Sequence, residues 1–471
     1  MTGGVTGAIA RRVLSNRYAL YALAVLTFIN LVNYLDRNVL APVLDSVKAS
    51  FSIDDQQAGL LTTAFFWVYT IASPISGYLG DRVSRRVLIV IGIALWSVAT
   101  VSSAFATSYH QLWLFRAATG VGEAGYGIVA PAFLGDLFSK EKRSRTLSVF
   151  YLALPIGTAA GYAFGGYVGE HFGHGPGEPH AGLMCDLGIH EGWRYAFLFG
   201  GIPGLLLAVL AAFLVEPPRG AHDAVGVEIG VGKFQWASVG SLLRTRSFVI
   251  NVAATTAMTF AIGGLAQWAP TFVQRVHGYS KDQAGVWVGI VVALTGTVGT
   301  IFGGFLADYA RRWTNAAHFI VPGVTLSLCS VALAGAFLAT GRAGFWVFAS
   351  ISIFLLFCNS GPLNAAILNV SMPAVRATAF AITIFTIHLL GDALSPWVIG
   401  GVSDLFQPSV GPATSLRYAF LIAPPIVLVG GLLLIVFAKE LPKDVAEIER
   451  KIRAGGKDSS RASASAASSH A

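Results

Sequence analysis

This chain is short of charge. Only 12% of its 471 residues are Asp, Glu, Lys or Arg, against 54% hydrophobic, and its mean hydropathy is +0.65. A soluble chain of this length carries about twice that charge, so a water-soluble globular fold is excluded. Cysteine is scarce as well: Cys185 lies in a polar stretch, and Cys329 and Cys358 lie in apolar runs. Their spacing makes neither a disulfide framework nor a zinc site. The chain has no Walker lysine, no nucleotide-binding glycine motif after a strand, and no paired catalytic acids in a soluble domain. Neither enzymatic catalysis nor ATP-driven transport by this chain alone is expected, and no cofactor or metal is. The net charge of +8 is not a nucleic-acid footprint, because its distribution over the loops accounts for it.

Apolar length is what the chain has in plenty. Twelve segments stand out, roughly 18–44, 56–79, 87–107, 110–135, 145–169, 193–215, 248–274, 283–307, 317–340, 343–369, 376–405 and 416–438. Each is near the ~20 residues that cross a bilayer at a rise of ~1.5 Å per residue. Backbone polar groups in lipid must be paired within the segment, so the spans are expected to be helices. The first run is too long for a cleavable signal peptide, and it carries Asp36 and Arg37. The expected fold is an all-α membrane protein of twelve transmembrane helices in two six-helix halves. Residues 1–216 make the first half and 248–440 the second. Residues 217–247 are a polar linker in which Phe234–Leu243 reads as an interfacial helix. Residues 441–471 form a tail that is Ser/Ala/Gly-rich beyond Ala454 and expected to be disordered there. With the N-terminus inside, 24 of the 32 Lys and Arg fall on the cytoplasmic side and 6 on the outer side. That asymmetry places both termini in the cytoplasm of a multi-pass protein of the plasma or inner membrane.

The halves repeat one another. Gly77-Tyr-Leu-Gly-Asp81-Arg82 ends segment 2, and Gly304-Phe-Leu-Ala-Asp308 ends segment 8, 227 residues later. Arg194-Tyr-Ala-Phe-Leu198 opens segment 6, and Arg417-Tyr-Ala-Phe-Leu421 opens segment 12, 223 residues later. Parallel repeated halves are the architecture of alternating-access carriers.

Charges inside spans are costly and persist where they face a partner or a watery cavity. Asn33-Tyr34-Leu35-Asp36-Arg37 interrupts the first span, and Arg116 and Glu123 lie in the fourth. From the outer end, Arg116 lies about 9 Å deep, Asp36 about 12 Å and Glu123 about 20 Å. Seven residues apart, Arg116 and Glu123 share a helix face. Asp36 and Arg37 point ~100° apart, and the cavity is assigned to Asp36, where it can pair with Arg116. Desolvation favours a protonated carboxyl and a nearby arginine favours the ionised form, which together make a switch. Asp36 and Glu123 are thus the candidates for proton coupling, Glu123 the better one because no cation adjoins it in sequence. Arg116, with Arg37, is the candidate headgroup ligand, since a planar guanidinium fork suits phosphate or carboxylate. In the second half, His388 and Asp392 are one helical turn apart and can meet. Asn359 and Asn364 are read chiefly as helix–helix hydrogen-bonding residues. Phe260, Gln267, Trp268, Phe357 and Phe385 are the cavity-facing candidates there. A cavity charged in one half and apolar in the other suits an amphiphile. The stretch Glu170–Glu191, with His171, His174, His180, His190 and Cys185, is read as a flexible exposed loop rather than a metal site.

Gly77-Tyr-Leu-Gly-Asp81-Arg82-Val-Ser-Arg85-Arg86 resembles the span 2–3 loop signature of the major facilitator superfamily, with Ser84 where that signature usually has glycine. The resemblance implies a cytoplasmic gate built from Gly77, Asp81, Arg82, Arg85 and Arg86, with Asp136 as a partner and Asp308 in the second copy. Within that superfamily four stretches resemble the Spinster family of lysolipid and sphingolipid carriers. They are Asn33–Arg37, Arg116-Ala-Ala-Thr-Gly-Val-Gly-Glu123-Ala, Cys358-Asn-Ser-Gly-Pro-Leu-Asn364-Ala-Ala and His388-Leu-Leu-Gly-Asp392-Ala-Leu-Ser-Pro396. The resemblance implies a proton-coupled secondary carrier of single-chain anionic amphiphiles, lysophospholipid or sphingoid-phosphate in kind. Its partners would be the lipid substrate, protons and the surrounding membrane, and it is expected to be a monomer. The alternatives are a proton-linked carrier of small organic anions or drugs and a transporter-like sensor without flux.

Overall fold

A computed structural model describes residues 16–80, 82–138, 146–147, 149–173, 189–217, 236–372 and 375–451. All regular structure among them is helical. The first half contains α1 (Asn16–Asn38), α2 (Leu40–Phe51), α3 (Asp55–Gly80), α4 (Arg85–Ala104), α5 (Tyr109–Leu137), α6 (Ala153–His171) and α7 (Gly192–Ala212). The short α8 (Trp236–Arg244) leads into α9 (Arg246–His277), α10 (Lys281–Ala310), α11 (Ala317–Leu338), α12 (Arg342–Phe357) and α13 (Ser360–Asn369). Then come α14 (Arg376–Ile387), a π-helical turn at His388–Asp392, α15 (Ser395–Phe420) and α16 (Ala423–Val436). Residues 440–451 are helical too, and the tail beyond 451 lies outside the described residues.

Among the described residues, ten helical runs are long and apolar enough to cross a bilayer. Two features separate that number from twelve. Arg116, Glu123 and Asp136 lower the hydropathy of α5, and residues 378–436 form one helical run that folds at a corner. The corner is Gly411, whose φ of 78° belongs to the left-handed region, between Pro408 and Pro412. Residues 406–415, expected as a loop, are therefore mostly helical on either side of Gly411.

Three spans are broken mid-course, each four residues before a proline. Proline has no N–H, so the carbonyl four residues back loses its helical partner. Pro42 frees Asn38, where α1 gives way to α2; Pro362 frees Cys358, between α12 and α13; Pro396 frees Asp392, at the π turn. Side chains reinforce two of the breaks. Asn38 Nδ2 donates to the Tyr34 carbonyl at 2.7 Å, and Asn359 Nδ2 to the Leu355 carbonyl at 2.7 Å. Such side-chain bonds compete with the helical ladder.

The chain forms two compact units that cut across the sequence halves. The first comprises Met1–Glu228, Ile262–Leu294 and His388–Ile422, and the second Ile229–Ala261, Thr295–Ile387 and Ala423–Ala471. In the first unit, parts of α9, α10 and α15 join the first-half helices because glycines let backbones touch. A Cβ on Gly59 of α3 would run into the Pro396 carbonyl of α15, and one on Gly400 into the Asp55 carbonyl of α3. Gly285 and Gly289 of α10 face Tyr162 and Ala159 of α6 in the same way. Small residues at such crossings are what holds membrane helices together where lipid is as apolar as the side chains.

This packing predicts that Gly59→Ala, which inserts one methyl against backbone, destabilises the fold by about 1–3 kcal/mol. The midpoint of thermal unfolding in detergent should fall by several degrees. Gly240→Ala, where nothing lies within 4 Å of the new methyl, should leave it unchanged. Equal midpoints for the two variants would show that the α3–α15 crossing is not tightly packed.

Candidate functional site

The charged residues of α1 and α5 meet in the first unit, in an order that differs from the sequence expectation. Arg37, not Asp36, reaches Glu123: its Nε donates to Glu123 Oε2 at 2.9 Å and an Nη reaches the same oxygen. The Glu123 side chain is fully buried, and that of Arg37 is 18% exposed. Three rings surround the guanidinium. Its Cζ lies 4.9 Å from the Tyr34 centroid, 4.9 Å from Phe65 and 5.5 Å from Tyr69. Tyr34 comes from the turn of α1 before Arg37, and Phe65 and Tyr69 are one turn apart on α3. Gly120 brings α3 close, since any Cβ there would strike the Phe65 carbonyl 2.5 Å away.

Asp36 turns the other way and is fully buried. Thr100 of α4 donates to its Oδ2 at 2.7 Å, and Gly200 of α7 lies beside its Oδ1. The expectation that Asp36 faces a cavity and pairs with Arg116 is corrected: it is packed among α1, α4 and α7. Arg116 is 1% exposed, and its electrostatic neighbours are Asp36, Glu123 and Arg37. It lies over the rings of Phe65 at 5.7 Å and Phe197 at 5.9 Å. Its Nε and one Nη are buried without a hydrogen-bond partner, as is Asp36 Oδ1, while the Asn33 side chain lies beside the Glu123 carboxylate. Buried polar atoms left unmet are unusual, because more than nine in ten buried polar groups are satisfied. A buried, incompletely paired guanidinium among them is a ready anion ligand.

The other candidate positions divide between the units. His388 Nδ1 lies 2.9 Å from Asp392 Oδ2, and its ring stacks on Phe66 and meets Tyr69 edge-on. The cluster thus adjoins the Arg37 rings through Tyr69. Gln267 accepts from Thr62 Oγ1 at 2.5 Å, and its own Nε2 is buried and unpartnered. Trp268 is a correction: it is fully buried, with Nε1 donating to the Pro396 carbonyl at 3.0 Å, and it packs the α9–α15 crossing instead of facing a cavity. Phe260, also read as cavity-facing, is buried in the second unit. Asn359 there accepts from Thr325 at 2.6 Å, and Asn364 bonds its own helix at Ser360. Phe385 is 46% exposed in that unit.

Two further charge clusters sit at opposite ends of the first unit. At one, Arg85 pairs with Asp136, joining α4 to α5. Glu216 caps α4, accepting from Ser84 Oγ at 2.5 Å and from the Arg85 amide at 3.0 Å. Arg82 lies 3.6 Å over the Tyr78 ring, Arg86 reaches the Leu214 carbonyl at 3.4 Å, and a Cβ on Gly77 would make ordinary contact with the Ile128 side chain at 3.7 Å. Asp81 lies outside the described residues, as do His174, His180 and Cys185. Asp308 lines a shallow groove with Phe305, Tyr309 and Arg312 in the second unit. The opposite end holds a network that sequence reasoning missed. Arg275 of α9 forks to Asp55, with two bonds of 2.9 Å, and also to Asp45 of α2. Lys48 and Ser403 complete the shell of the fully buried Asp55. Asp404 of α15 caps α3, accepting from the amides of Asp55 at 2.9 Å and Gln56 at 2.6 Å. No motif marked these residues, because hydrogen-bonded partners among the four helices that meet here lie up to 349 positions apart in sequence.

Comparison with known proteins places these features. Residues 26–396 match the Major Facilitator Superfamily. The mouse sphingosine-1-phosphate transporter SPNS2 is 32% identical over 91% of this chain and 79% of its own length. Zebrafish protein spinster homolog 3 is 34% identical over 92% of this chain and 87% of its length. Among solved structures, a bacterial homolog of the human lysosomal transporter Spinster, inward-facing and unoccupied, superposes with a TM-score of 0.80. It is 24% identical and is matched over 91% of this chain and 99% of that one. A D-xylose–proton symporter shares the fold at a TM-score of 0.68, covering 89% of this chain and 97% of its own.

Removing one partner of a buried ion pair costs about 3–5 kcal/mol. Arg275→Ala should therefore loosen the Asp45–Asp55 end of the first unit. In a background without other cysteines, Thr62→Cys should react with a thiol reagent about tenfold faster or more when Arg275 is replaced. An unchanged rate would show that this network does not hold that end shut.

Proposed function

Because the chain belongs to the spinster family of the major facilitator superfamily, and is a multi-pass membrane transporter, we propose that it carries single-chain amphiphiles with an anionic headgroup, by alternating access coupled to protons. One observation carries the substrate class: Arg116 is fully buried and two of its nitrogens, Nε and one Nη, have no hydrogen-bond partner. Asp36 and Glu123 are its electrostatic neighbours, but its unmade N–H bonds are costly until an acceptor completes them. The printed name of the mouse relative, a sphingosine-1-phosphate transporter, supports a lipid phosphate as that anion. A long chain also needs an apolar path, and spans after residue 135 carry Lys and Arg only toward their ends.

Coupling follows from competition for arginine. Glu123 holds Arg37. A phosphate arriving beside Arg116 offers both guanidinium groups a stronger, bidentate partner. Glu123, losing its cation in a buried site, then takes up a proton. Release of the headgroup returns Arg37 to Glu123 and the proton to solvent. The excess of Lys and Arg supports a cytoplasmic location for the Arg85–Asp136 end and both termini. The Asp45–Asp55–Arg275 network, which ties α2 and α3 to α9 and α15, then closes the outer side.

A charge-assisted contact is worth on the order of 1.5–3 kcal/mol, and 1.4 kcal/mol is tenfold in affinity. Arg116→Ala should weaken an anionic lysolipid by roughly 10- to 100-fold, with Arg116→Lys in between because it keeps charge but loses the fork. A neutral single-chain lipid of equal length should be nearly indifferent in binding titrations. Equal losses for both lipids would assign Arg116 to helix packing.

Glu123→Gln imitates the protonated acid. In liposomes with an imposed pH gradient it should retain lipid binding and lose gradient-driven accumulation. Undiminished driven uptake would remove Glu123 from the coupling.

A further inference from the structure

The repeat between the halves fails at one place, and the failure leaves two arginines unmet. Past the end of α3, Arg85 is paired by Asp136, and Glu216 caps the start of α4. The counterpart of Arg85, 227 residues on, is Arg312, just past the end of α10. The residues 223–227 positions after Asp136 are Asn359, Ser360, Gly361, Pro362 and Leu363, none of them acidic. The sequence has no Asp or Glu anywhere between Asp308 and Asp392. Glu440, 224 positions after Glu216, is engaged by Lys443 at 2.8 Å and Arg246 at 3.6 Å. Arg311 and Arg312 are exposed, and neither makes an ion pair or a side-chain hydrogen bond among the described residues.

What surrounds Arg312 has the composition of a membrane interface. Its Cζ lies 4.8 Å from the Tyr309 ring centroid, and that ring meets Trp313 edge-on at 4.7 Å. Tyrosine and tryptophan settle at headgroup level. Arg312 and Tyr309 line a groove with Phe302, Phe305, Leu306 and Asp308. Toward the body of α10 the groove is apolar, and Phe305 is 73% exposed. Phe302 and Tyr309 are seven residues apart, about 10 Å along the helix, so an acyl chain on the phenylalanines brings its phosphate level with the arginines. Arg311 and Arg312 fall among the cations counted on the cytoplasmic side, where the leaflet is anionic. We propose that this end of the second unit docks an anionic two-chain phospholipid of the surrounding bilayer, whose phosphate meets Arg312 and Arg311 where the first half uses Asp136. A guanidinium laid against a ring keeps its planar fork free for phosphate oxygens. Asp308 lines the same groove, so the phosphate settles on its arginine side. The ligand here is a component of the membrane and not the cargo, and the site shares no residue with the Arg116 cluster of the first unit.

The test reads lipid preference at the groove itself. The full chain without other cysteines is labelled with bimane at Asn315→Cys, an exposed position, and reconstituted in phosphatidylcholine vesicles. Quenching by dibrominated phosphatidylglycerol, set against dibrominated phosphatidylcholine, gives the relative association constant of the two lipids. One basic residue at an anionic surface is worth roughly fivefold. The otherwise unaltered chain should prefer phosphatidylglycerol by about fivefold or more. Arg312→Gln should lower that preference about fivefold. Arg312→Lys keeps the charge but loses the fork, and Tyr309→Leu removes the ring that holds Arg312, so each should lower it in part. Asp308→Asn should raise it. Diffuse attraction to a basic loop would leave Arg312→Lys and Tyr309→Leu at the unaltered preference, and that result overturns the site. Equal quenching by the two lipids in the otherwise unaltered chain overturns it too. So does relief of the quenching by glycerol phosphate in solution, which would assign the arginines to a free phosphate.

Discussion

A charge held in hydrocarbon must find a partner, and the Arg37–Glu123 pair is where this chain meets that demand most strictly. Glu123 is fully buried, so its only route to remaining ionised is a cation at bonding distance. The surrounding helices are arranged to supply one. Gly120 lets α3 approach α5 until the Phe65 ring lies against both guanidinium groups. Gly157, Gly161 and Gly165, one per turn on α6, let that helix lie against the backbone of α1 at Leu31, Leu35 and Val39. The break after Asn38 ends α1 one residue past Arg37, so the arginine sits on the last turn of a helix that stops inside the span. Small residues fix where the charges meet, and the charges fix which chemistry the site can perform.

Much of this was legible from residue order. Apolar length gives the spans, the repeated motifs give the two halves, and one-turn spacing gives the His388–Asp392 contact. The Arg85–Asp136 pair follows from two charges at the facing ends of neighbouring spans. The inversion of Asp36 and Arg37 was not legible. Adjacent residues must diverge by about 100°, but that rule fixes only their difference. The absolute rotation of α1 is set by Thr100 and Gly200, which receive Asp36 from α4 and α7, and no local pattern announces them. Trp268 misled for a related reason: a tryptophan on an apolar span fills a cavity or a crossing equally well, and the Pro396 carbonyl decides. The three proline breaks were readable in principle, since Pro42, Pro362 and Pro396 each stand four residues past a point where the span divides.

The Asp55 network shows the limit of local reading most clearly. Asp45, Lys48, Asp55, Arg275, Ser403 and Asp404 each look like a solvated residue at the end of a helix. Folding brings them into one shell around a carboxylate that water does not reach. Such a shell is strong while complete and costly once one member leaves. The Arg85–Asp136 pair at the opposite end is smaller and partly exposed. Between them lie Arg116 and Asp36, whose own hydrogen bonding is incomplete.

The central claim is that a bound headgroup takes Arg37 from Glu123 and that Glu123 then takes up a proton. Infrared difference spectroscopy of the reconstituted protein, on addition of lysophosphatidic acid, reads this directly. The account predicts that a protonated-carboxyl band appears on binding and is missing in Glu123→Gln. Binding that produces no such band, or a band that persists unchanged in the Gln variant, would contradict it.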